Sequence, residues 1–136
     1  MSSSDTSSLA IVTDAVIVYN QTLLNINMTN ITKLTATNYL MWKLQVEVLL
    51  AVYGLLSHLD GYGEIPPATL TTADVVSPNP AYALWLRQDQ LIYSSLLGSI
   101  SLSMQSILSR TTTATEIWTT LRHVYVKPLN LFGIVN

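Results

Sequence analysis

Apolar side chains recur at helical spacing in three stretches of the chain. The first stretch covers residues 38–53, the second covers residues 79–98, and the third begins at Thr113 and is ended by Pro128. Apolar positions that are three and four residues apart lie on one side of a helix. The pattern therefore predicts three main helices, and a shorter helix is predicted over residues 102–109.

The predicted helices begin at residues whose side chains accept hydrogen bonds from free backbone N–H groups. Thr37 or Asn38 is expected to cap the first helix, and Ser101 is expected to cap the short one. Asn79 is followed by a proline at the first helical position, where the missing N–H costs little. The last helix opens with Thr-Ala-Thr-Glu over residues 113–116, a capping-box pattern in which the glutamate reaches back to the N–H of the cap residue.

The first predicted helix is apolar on two sides. The residues of one side are Tyr39, Trp42, Val46, Leu49, Leu50 and Tyr53. The residues of the other side are Leu40, Leu44, Val48 and Val52. Only Lys43, Gln45 and Glu47 remain to face water. A helix that is apolar over so much of its circumference is either central in the fold or covered by a second partner.

Two segments lack a helical period. Residues 9–33 are rich in Ile, Val, Leu, Thr and Asn, and residues 10–12 and 15–19 have the composition of short strands that could pair as a hairpin. Residues 60–78 contain two glycines and three prolines, so we expect a loop without regular structure there.

Trp42, Trp85 and Trp118 each lie in a different predicted helix. Because a tryptophan can remove roughly 200 Å² of surface from water, three of them on successive helices suggest one shared helical core. We expect the truncation of Trp85 or Trp118 to alanine to cost about 3–5 kcal/mol. The predicted fold class is all-α, with a poorly ordered or short-strand segment at the N-terminus.

The amino-acid composition of the chain favours some classes of function and argues against others. Apolar residues make up 49% of the 136 residues and charged residues only 10%, which favours contacts between copies or with another protein. The net charge is −2 and Lys and Arg are not clustered, so direct binding of nucleic acid is not expected. There is no cysteine, the N-terminus lacks the basic region of a signal peptide, and the apolar run over residues 9–19 is too short to span a bilayer. We therefore expect a cytoplasmic protein that is neither secreted nor inserted in a membrane.

Candidate catalytic groups do not form a recognisable set. His58 and His123 lack cysteine partners, and we expect both at ordinary surface or partly buried positions. Asp60, Glu64 and Asp74 are too widely spaced to make a general acid and base pair. Asp89 is an acidic residue within a helix that is flanked by apolar residues, and it is expected to be a solvated or helix-capping hydrogen-bond partner. We predict that the chain is not an enzyme and holds no metal or cofactor.

Four motifs in order resemble the N-terminal Gag region of plant copia-type LTR retrotransposons. Residues 33–42, Lys-Leu-Thr-Ala-Thr-Asn-Tyr-Leu-Met-Trp, are similar to that family's Leu-x-x-x-Asn-Tyr-x-x-Trp. Residues 54–61, Gly-Leu-Leu-Ser-His-Leu-Asp-Gly, resemble its Gly-Leu-x-x-x-Leu/Val-Asp-Gly. Residues 79–89 match Asn-Pro-x-x-x-x-Trp-x-x-x-Asp, and residues 114–125 resemble Ala-x-x-x-Trp-x-x-Leu-x-x-x-Tyr/Phe.

The resemblance implies a small orthogonal helical bundle like the N-terminal lobe of a retrotransposon capsid. It implies a flexible segment over residues 1–25, a Gag N-terminal helical domain over 26–126, and an unrelated short tail over 127–136. It also implies a set of structural core residues without a catalytic role. These residues are Tyr39, Trp42, Trp85, Asp89, Trp118, Leu121 and Tyr125.

The family's usual role is the assembly of Gag into particles, so the expected partners are copies of this chain or related Gag polyproteins. In the family the chain continues into a second capsid lobe, a zinc knuckle and enzymatic domains, whereas no zinc-knuckle sequence occurs here. A truncated capsid module is therefore expected. Three alternatives remain open: a domesticated fragment that binds intact Gag and interferes with assembly, a decayed fragment, and a small ligand-binding helical protein.

Overall fold

The computed structural model describes residues 15–18 and 21–125. The predictions for residues 1–14, including the strand over residues 10–12, lie outside the described residues. Those for Pro128 and for the tail over residues 127–136 lie outside them as well.

The three main helices lie where their apolar spacing predicts them. Helix α1 spans Tyr39–Val52, α3 spans Pro80–Gly98 and α5 spans Ala114–Tyr125. A short helix α2, Ser57–Asp60, precedes the long connection to α3. The predicted fourth helix is split into α4, Leu102–Gln105, and a 3₁₀ turn over Ser106–Leu108.

Of the side-chain caps predicted at Asn79, Asn38 and Ser101, only the first forms. Asn79 caps α3 as expected, because its side chain accepts a hydrogen bond from the Ala81 N–H at 3.1 Å. Asn38 precedes α1 without capping it, since its side chain instead accepts from the Thr35 N–H and donates to the Lys33 carbonyl. The predicted side-chain cap at Ser101 is also wrong.

The capping box at the start of α5 is confirmed. The Glu116 N–H donates to Thr113 Oγ1 at 3.2 Å, and Glu116 Oε1 accepts from the Thr113 N–H at 3.2 Å. The same oxygen accepts from the Thr112 N–H and from the Thr112 hydroxyl. These bonds, the one from the Thr112 N–H foremost, lower the pKa of the Glu116 carboxyl below its usual value of 4.5.

This lowered pKa predicts an acid-sensitive contribution to stability. A pKa lower in the folded than in the unfolded chain means that the stabilisation is present above about pH 4.5 and is lost as the pH falls through the folded pKa. We expect Glu116→Gln to unfold at lower urea concentration than the parent at pH 7, and by a smaller margin at pH 3, where protonation of Glu116 begins to remove the same contribution from the parent. Glu64→Gln, at an exposed loop position, is the matched control, and an equal effect at both pH values would contradict the prediction.

The all-α prediction is wrong, because the described chain is mixed and contains two antiparallel two-stranded sheets. Strand β1, Ala15–Val18, pairs with β2, Gln21–Leu24, and strand β3, Thr69–Thr72, pairs with β4, Val75–Pro78. The second hairpin forms inside the segment that was expected to be an irregular loop. Pro66 and Pro67 precede β3 and Pro78 is the last residue of β4, and a two-residue turn at Ala73 and Asp74, both with positive φ, connects the strands.

A side chain of α3 forms the hydrogen bonds to β2 that a neighbouring strand would otherwise form. The amide of Gln88 accepts from the Leu24 N–H at 2.8 Å and donates to the Leu24 carbonyl at 2.7 Å. The Ser95 hydroxyl of α3 donates to the Ile26 carbonyl at 2.8 Å. Both backbone groups of Leu24 are thereby satisfied, and Ile26 and Met28 enter the hydrophobic core.

The core lies between α1, α3 and α5. Leu34 is fully buried and forms a parallel bridge with Ile100, through a bond from the Leu34 N–H to Ser99 and a bond from the Ser101 N–H to Leu34. The residues of the core with the least exposure include Trp42, Val46, Leu50, Leu59, Ile92, Leu96, Ile117 and Leu121.

Candidate interaction surface

One side of α1 carries a stripe of exposed apolar side chains, which we call the outer face of α1. Four of its members follow one another at intervals of four residues and the fifth, Met41, lies three residues before Leu44, so that all of them lie on one side of the helix. Each exposes more than half of its surface, with 73% for Leu40 and 78% for Val52. The outer face consists of Leu40, Met41, Leu44, Val48 and Val52.

The opposite side of α1 fixes the helix in the core. The Trp42 indole N–H donates to the Ser99 carbonyl at 3.0 Å and lies near the Ser99 hydroxyl at 3.1 Å. Val46 and Leu50 are fully buried on the same side. The sequence left open whether the second apolar side of this helix is buried or faces a partner, and the structure leaves that side exposed. A rigid helix thus presents the outer face.

The edges of the outer face are polar. Lys43 and Glu47 form an ion pair at 2.9 Å on one edge, spaced one helical turn apart. On the other edge, Gln45 accepts a hydrogen bond from the Thr32 N–H at 3.2 Å. A groove of about 420 Å³ runs beside this edge. It is lined by Asn30, Ile31, Leu44, Gln45, Val48, Leu49 and Val52.

Five of the seven predicted core residues lie on the buried side of α1 or on the part of α5 that packs against it. The rings of Trp42 and Trp118 pack with centroids 5.5 Å apart, and the rings of Tyr39 and Tyr125 stack at 4.7 Å with an interplanar angle of 4°. Leu121 is fully buried. The Tyr125 hydroxyl donates to the Thr35 carbonyl at 2.9 Å, which ties the end of α5 to the start of α1.

Burial also affects the ionisation of this aromatic stack. It raises the pKa of the Tyr39 phenol above 10.0, with Arg122 acting in the opposite direction. The pKa of the Tyr125 phenol is raised for the same reason. The two phenols therefore stay neutral at physiological pH.

The other two predicted core residues lie in a separate cluster around His58. Trp85 is half-buried, and its ring stacks on the His58 imidazole at a centroid distance of 5.0 Å. Asp89 is buried, with one carboxylate oxygen 2.8 Å from His58 Nδ1 and the other accepting from the Ala114 N–H at 3.1 Å. The structure therefore does not bring Trp85 into contact with Trp42 and Trp118.

The His58 cluster was missed in the sequence, where His58 was expected nearer the surface. The structure buries it, and its carbonyl accepts from the Thr115 hydroxyl at 2.7 Å. His58 and Asp89 each lie in one of the four motifs, and this was the only indication in the sequence that the two positions matter. Neither motif indicated that the two side chains are in contact. Because Asp89 satisfies the first N–H of α5, the cluster fastens α2 and α3 to the start of that helix.

The described residues offer neither a cluster of metal ligands nor a helix that could span a membrane. No group of three or more His, Cys, Asp or Glu side chains suited to a metal ion occurs among them. Within the same residues, each helix is too short or too polar to cross a bilayer.

Comparisons with known proteins give a clear relationship. Over 115 residues the chain is 51% identical to the retrovirus-related Pol polyprotein from transposon RE2 of Arabidopsis thaliana and 50% identical to that from transposon RE1. The match covers 85% of the chain but 8% of each polyprotein. No family model and no solved structure matches the chain. The resemblance to a retrotransposon polyprotein is confirmed.

Proposed function

We propose that this chain, which is a sequence derived from a retrotransposon polyprotein, is a non-enzymatic structural module that binds further copies of itself as a Gag capsid protein does. The observation that carries the proposal is the outer face of α1, where five apolar side chains point into solvent from a rigid helix. Contiguous apolar surface of this kind is typical of protein interaction sites.

A second copy suits this surface in shape and charge. Leu40, Leu44 and Val48 follow one another at intervals of four residues, and such ridges interdigitate when two helices pack together. The flanking Lys43 and Glu47 neutralise one another, so two outer faces meet without net repulsion. The outer face of α1 has no excess of positive charge that would favour an anionic ligand instead.

The expected association is weak. Burying five half-exposed apolar side chains on each of two copies gains on the order of 10 kcal/mol. Association costs about 4–15 kcal/mol in lost translational and rotational freedom, so the net gain is at most about 6 kcal/mol and the Kd is expected to be about tens of micromolar or weaker. Such an interface forms at high local concentration, as in an assembling particle.

Light-scattering mass across a wide concentration range tests the proposal. We expect the parent to rise from monomer to a defined oligomer, and Leu40→Glu to shift this rise to at least about tenfold higher concentration, because a charge must then be buried in the contact. Leu102→Glu is the matched control, since Leu102 is 83% exposed and also lies in the first turn of a helix. A new glutamate is tolerated in both first turns.

Two outcomes would contradict the proposal. A parent that stays monomeric at every concentration would show that the outer face does not bind copies. An equal loss of association in both variants would show that the effect comes from added charge and not from the outer face of α1.

A second candidate function is binding to a longer, related polyprotein. The 51% identity over 115 residues favours this function. Because the two sequences are so similar, the matching region of the polyprotein is expected to have the same fold and to present a similar surface. Co-purification of the tagged chain with such a polyprotein would support this function, with Leu40→Glu reducing the yield and Leu102→Glu leaving it unchanged. Failure of the parent chain to co-purify would count against it.

A further inference from the structure

The hairpin of β3 and β4 stands out from the fold as a two-stranded ribbon. Every residue of both strands is exposed, including the apolar Leu70, Val75 and Val76. Its base is held where the Asn79 N–H donates to the Ala68 carbonyl at 3.0 Å and the Asn79 side chain donates to the Pro67 carbonyl at 2.8 Å. A two-stranded ribbon with both faces in water is marginally stable on its own.

The register of the hairpin determines which backbone groups point outward. Thr72 pairs with Val75 across the two-residue turn, and Leu70 pairs with Ser77. These two pairs are hydrogen-bonded, and they alternate with pairs that are not. The bond from the Asn79 N–H to the Ala68 carbonyl continues this alternation. The N–H and carbonyl groups of Thr69 and Thr71 therefore point away from β4, along the outer edge of β3.

The two edges of the hairpin differ. On β4 the outward positions are Val76 and Pro78, and the proline has no N–H to offer. On β3 both outward positions carry a donor and an acceptor. The strand contains no charged side chain, although charges are the usual protection of an exposed edge. The outer edge of β3 is thus the one that can accept another strand.

We propose that this edge pairs with β3 of a second copy, antiparallel and about a two-fold axis at Leu70. In this register Thr69 of one copy faces Thr71 of the other, so each pair exchanges both of its outward hydrogen bonds. Leu70 then lies beside Leu70 of the second copy on the same side of a four-stranded sheet. The edge is complementary to itself because its two outward residues are placed symmetrically about Leu70, as a two-fold interface requires.

The β3 contact would be a second way for copies of the chain to associate. It rests on the proposed function only because copies of the chain must meet for it to form. Its residues are separate from the outer face of α1. A copy that uses both surfaces has two neighbours, so alternating contacts extend an assembly beyond a dimer.

Cysteine cross-linking tests the register, because the chain has no cysteine of its own. Facing Cα atoms at the non-hydrogen-bonded Leu70 position are about 4.5 Å apart, within the range of a disulfide. Thr72 lies on the same side of the sheet, but its two copies are about 14 Å apart in this register. We expect Leu70→Cys to give about tenfold more disulfide dimer under mild oxidation than Thr72→Cys.

Proline variants test the edge itself. Thr71 and Val76 face each other across the hairpin, and both N–H groups point outward on opposite edges. In the Leu70→Cys chain, Thr71→Pro is expected to abolish the excess of disulfide dimer, and Val76→Pro is expected to leave it. Both prolines disturb the hairpin alike, so the difference reports on the edge of β3.

The experiment is repeated with Leu40→Glu present. A disulfide dimer that persists there supports the β3 contact even if the outer face of α1 fails to bind. Equal yields from Leu70→Cys and Thr72→Cys, equal effects of the two prolines, or no dimer from Leu70→Cys would overturn the proposal. The last result would also follow if the edge bound a strand of a different protein instead.

Discussion

Replacing Trp42 with alanine is expected to lower the free energy of unfolding by about 3–5 kcal/mol, the usual range for a large aromatic residue truncated in a core. Trp42 has no exposed surface, and its ring packs against Trp118 and Tyr39. The truncation also removes the donor to the Ser99 carbonyl. Since domains of this kind are stable by about 5–15 kcal/mol, this loss is a large fraction of the net stability, and the variant is expected to unfold at a much lower urea concentration than the parent.

Urea unfolding followed by circular dichroism measures this loss, with Trp85→Ala as the matched control. Trp85 is half-buried and stacks on His58 at the edge of the fold, so its truncation is expected to cost only about 1–2 kcal/mol. The larger loss expected for Trp85 from the sequence is revised accordingly. Equal losses in Trp42→Ala and Trp85→Ala would contradict the division of the tryptophans into two clusters.

A third variant keeps an aromatic ring at position 42. Trp42→Phe removes the donor to Ser99 and the five-membered part of the indole but leaves a six-membered ring in the core, so a loss between those of the parent and Trp42→Ala is expected. A loss as large as that of Trp42→Ala would mean that a phenyl ring restores none of the packing of Trp42.

The main helices could be predicted because their signals are local. Helical spacing in α1 and the Asn79 and Glu116 caps lie within a few residues of the structure that they specify. The hairpin of β3 and β4 is not predicted, because prolines in a sequence indicate a break in regular structure. Pro78 instead ends a strand opposite Thr69, and the turn uses Ala73 and Asp74 in place of a recognisable Asn-Gly pair.

The candidate surface was predictable in part. The sequence showed two apolar sides on α1, but only the packed structure shows that the side with Trp42 is buried and the side with Leu44 is exposed. The contact between His58 and Asp89 joins residues 31 positions apart. Neither spacing nor composition can indicate such a contact, because it depends on how α2 lies against α3.

Removing the Asp89 carboxylate is also expected to destabilise the fold strongly. Asp89 is buried, and Asp89→Ala would leave both the His58 imidazole and the Ala114 N–H without their partner. A carboxylate only accepts hydrogen bonds, so in this contact His58 Nδ1 is the donor. Two buried groups without partners predict a loss of about 2–4 kcal/mol in the free energy of unfolding.

Asp89→Asn distinguishes this explanation from a simple loss of volume. The asparagine oxygen can still accept from the Ala114 N–H, while its amide group then faces His58 as a donor and requires the other imidazole tautomer. We expect a loss between those of the parent and Asp89→Ala, measured by urea unfolding. Gln90→Ala, one residue further along α3 and exposed, is the control and should change little. If Asp89→Ala lost no more stability than Gln90→Ala, the carboxylate would not be what fastens α2 and α3 to the start of α5.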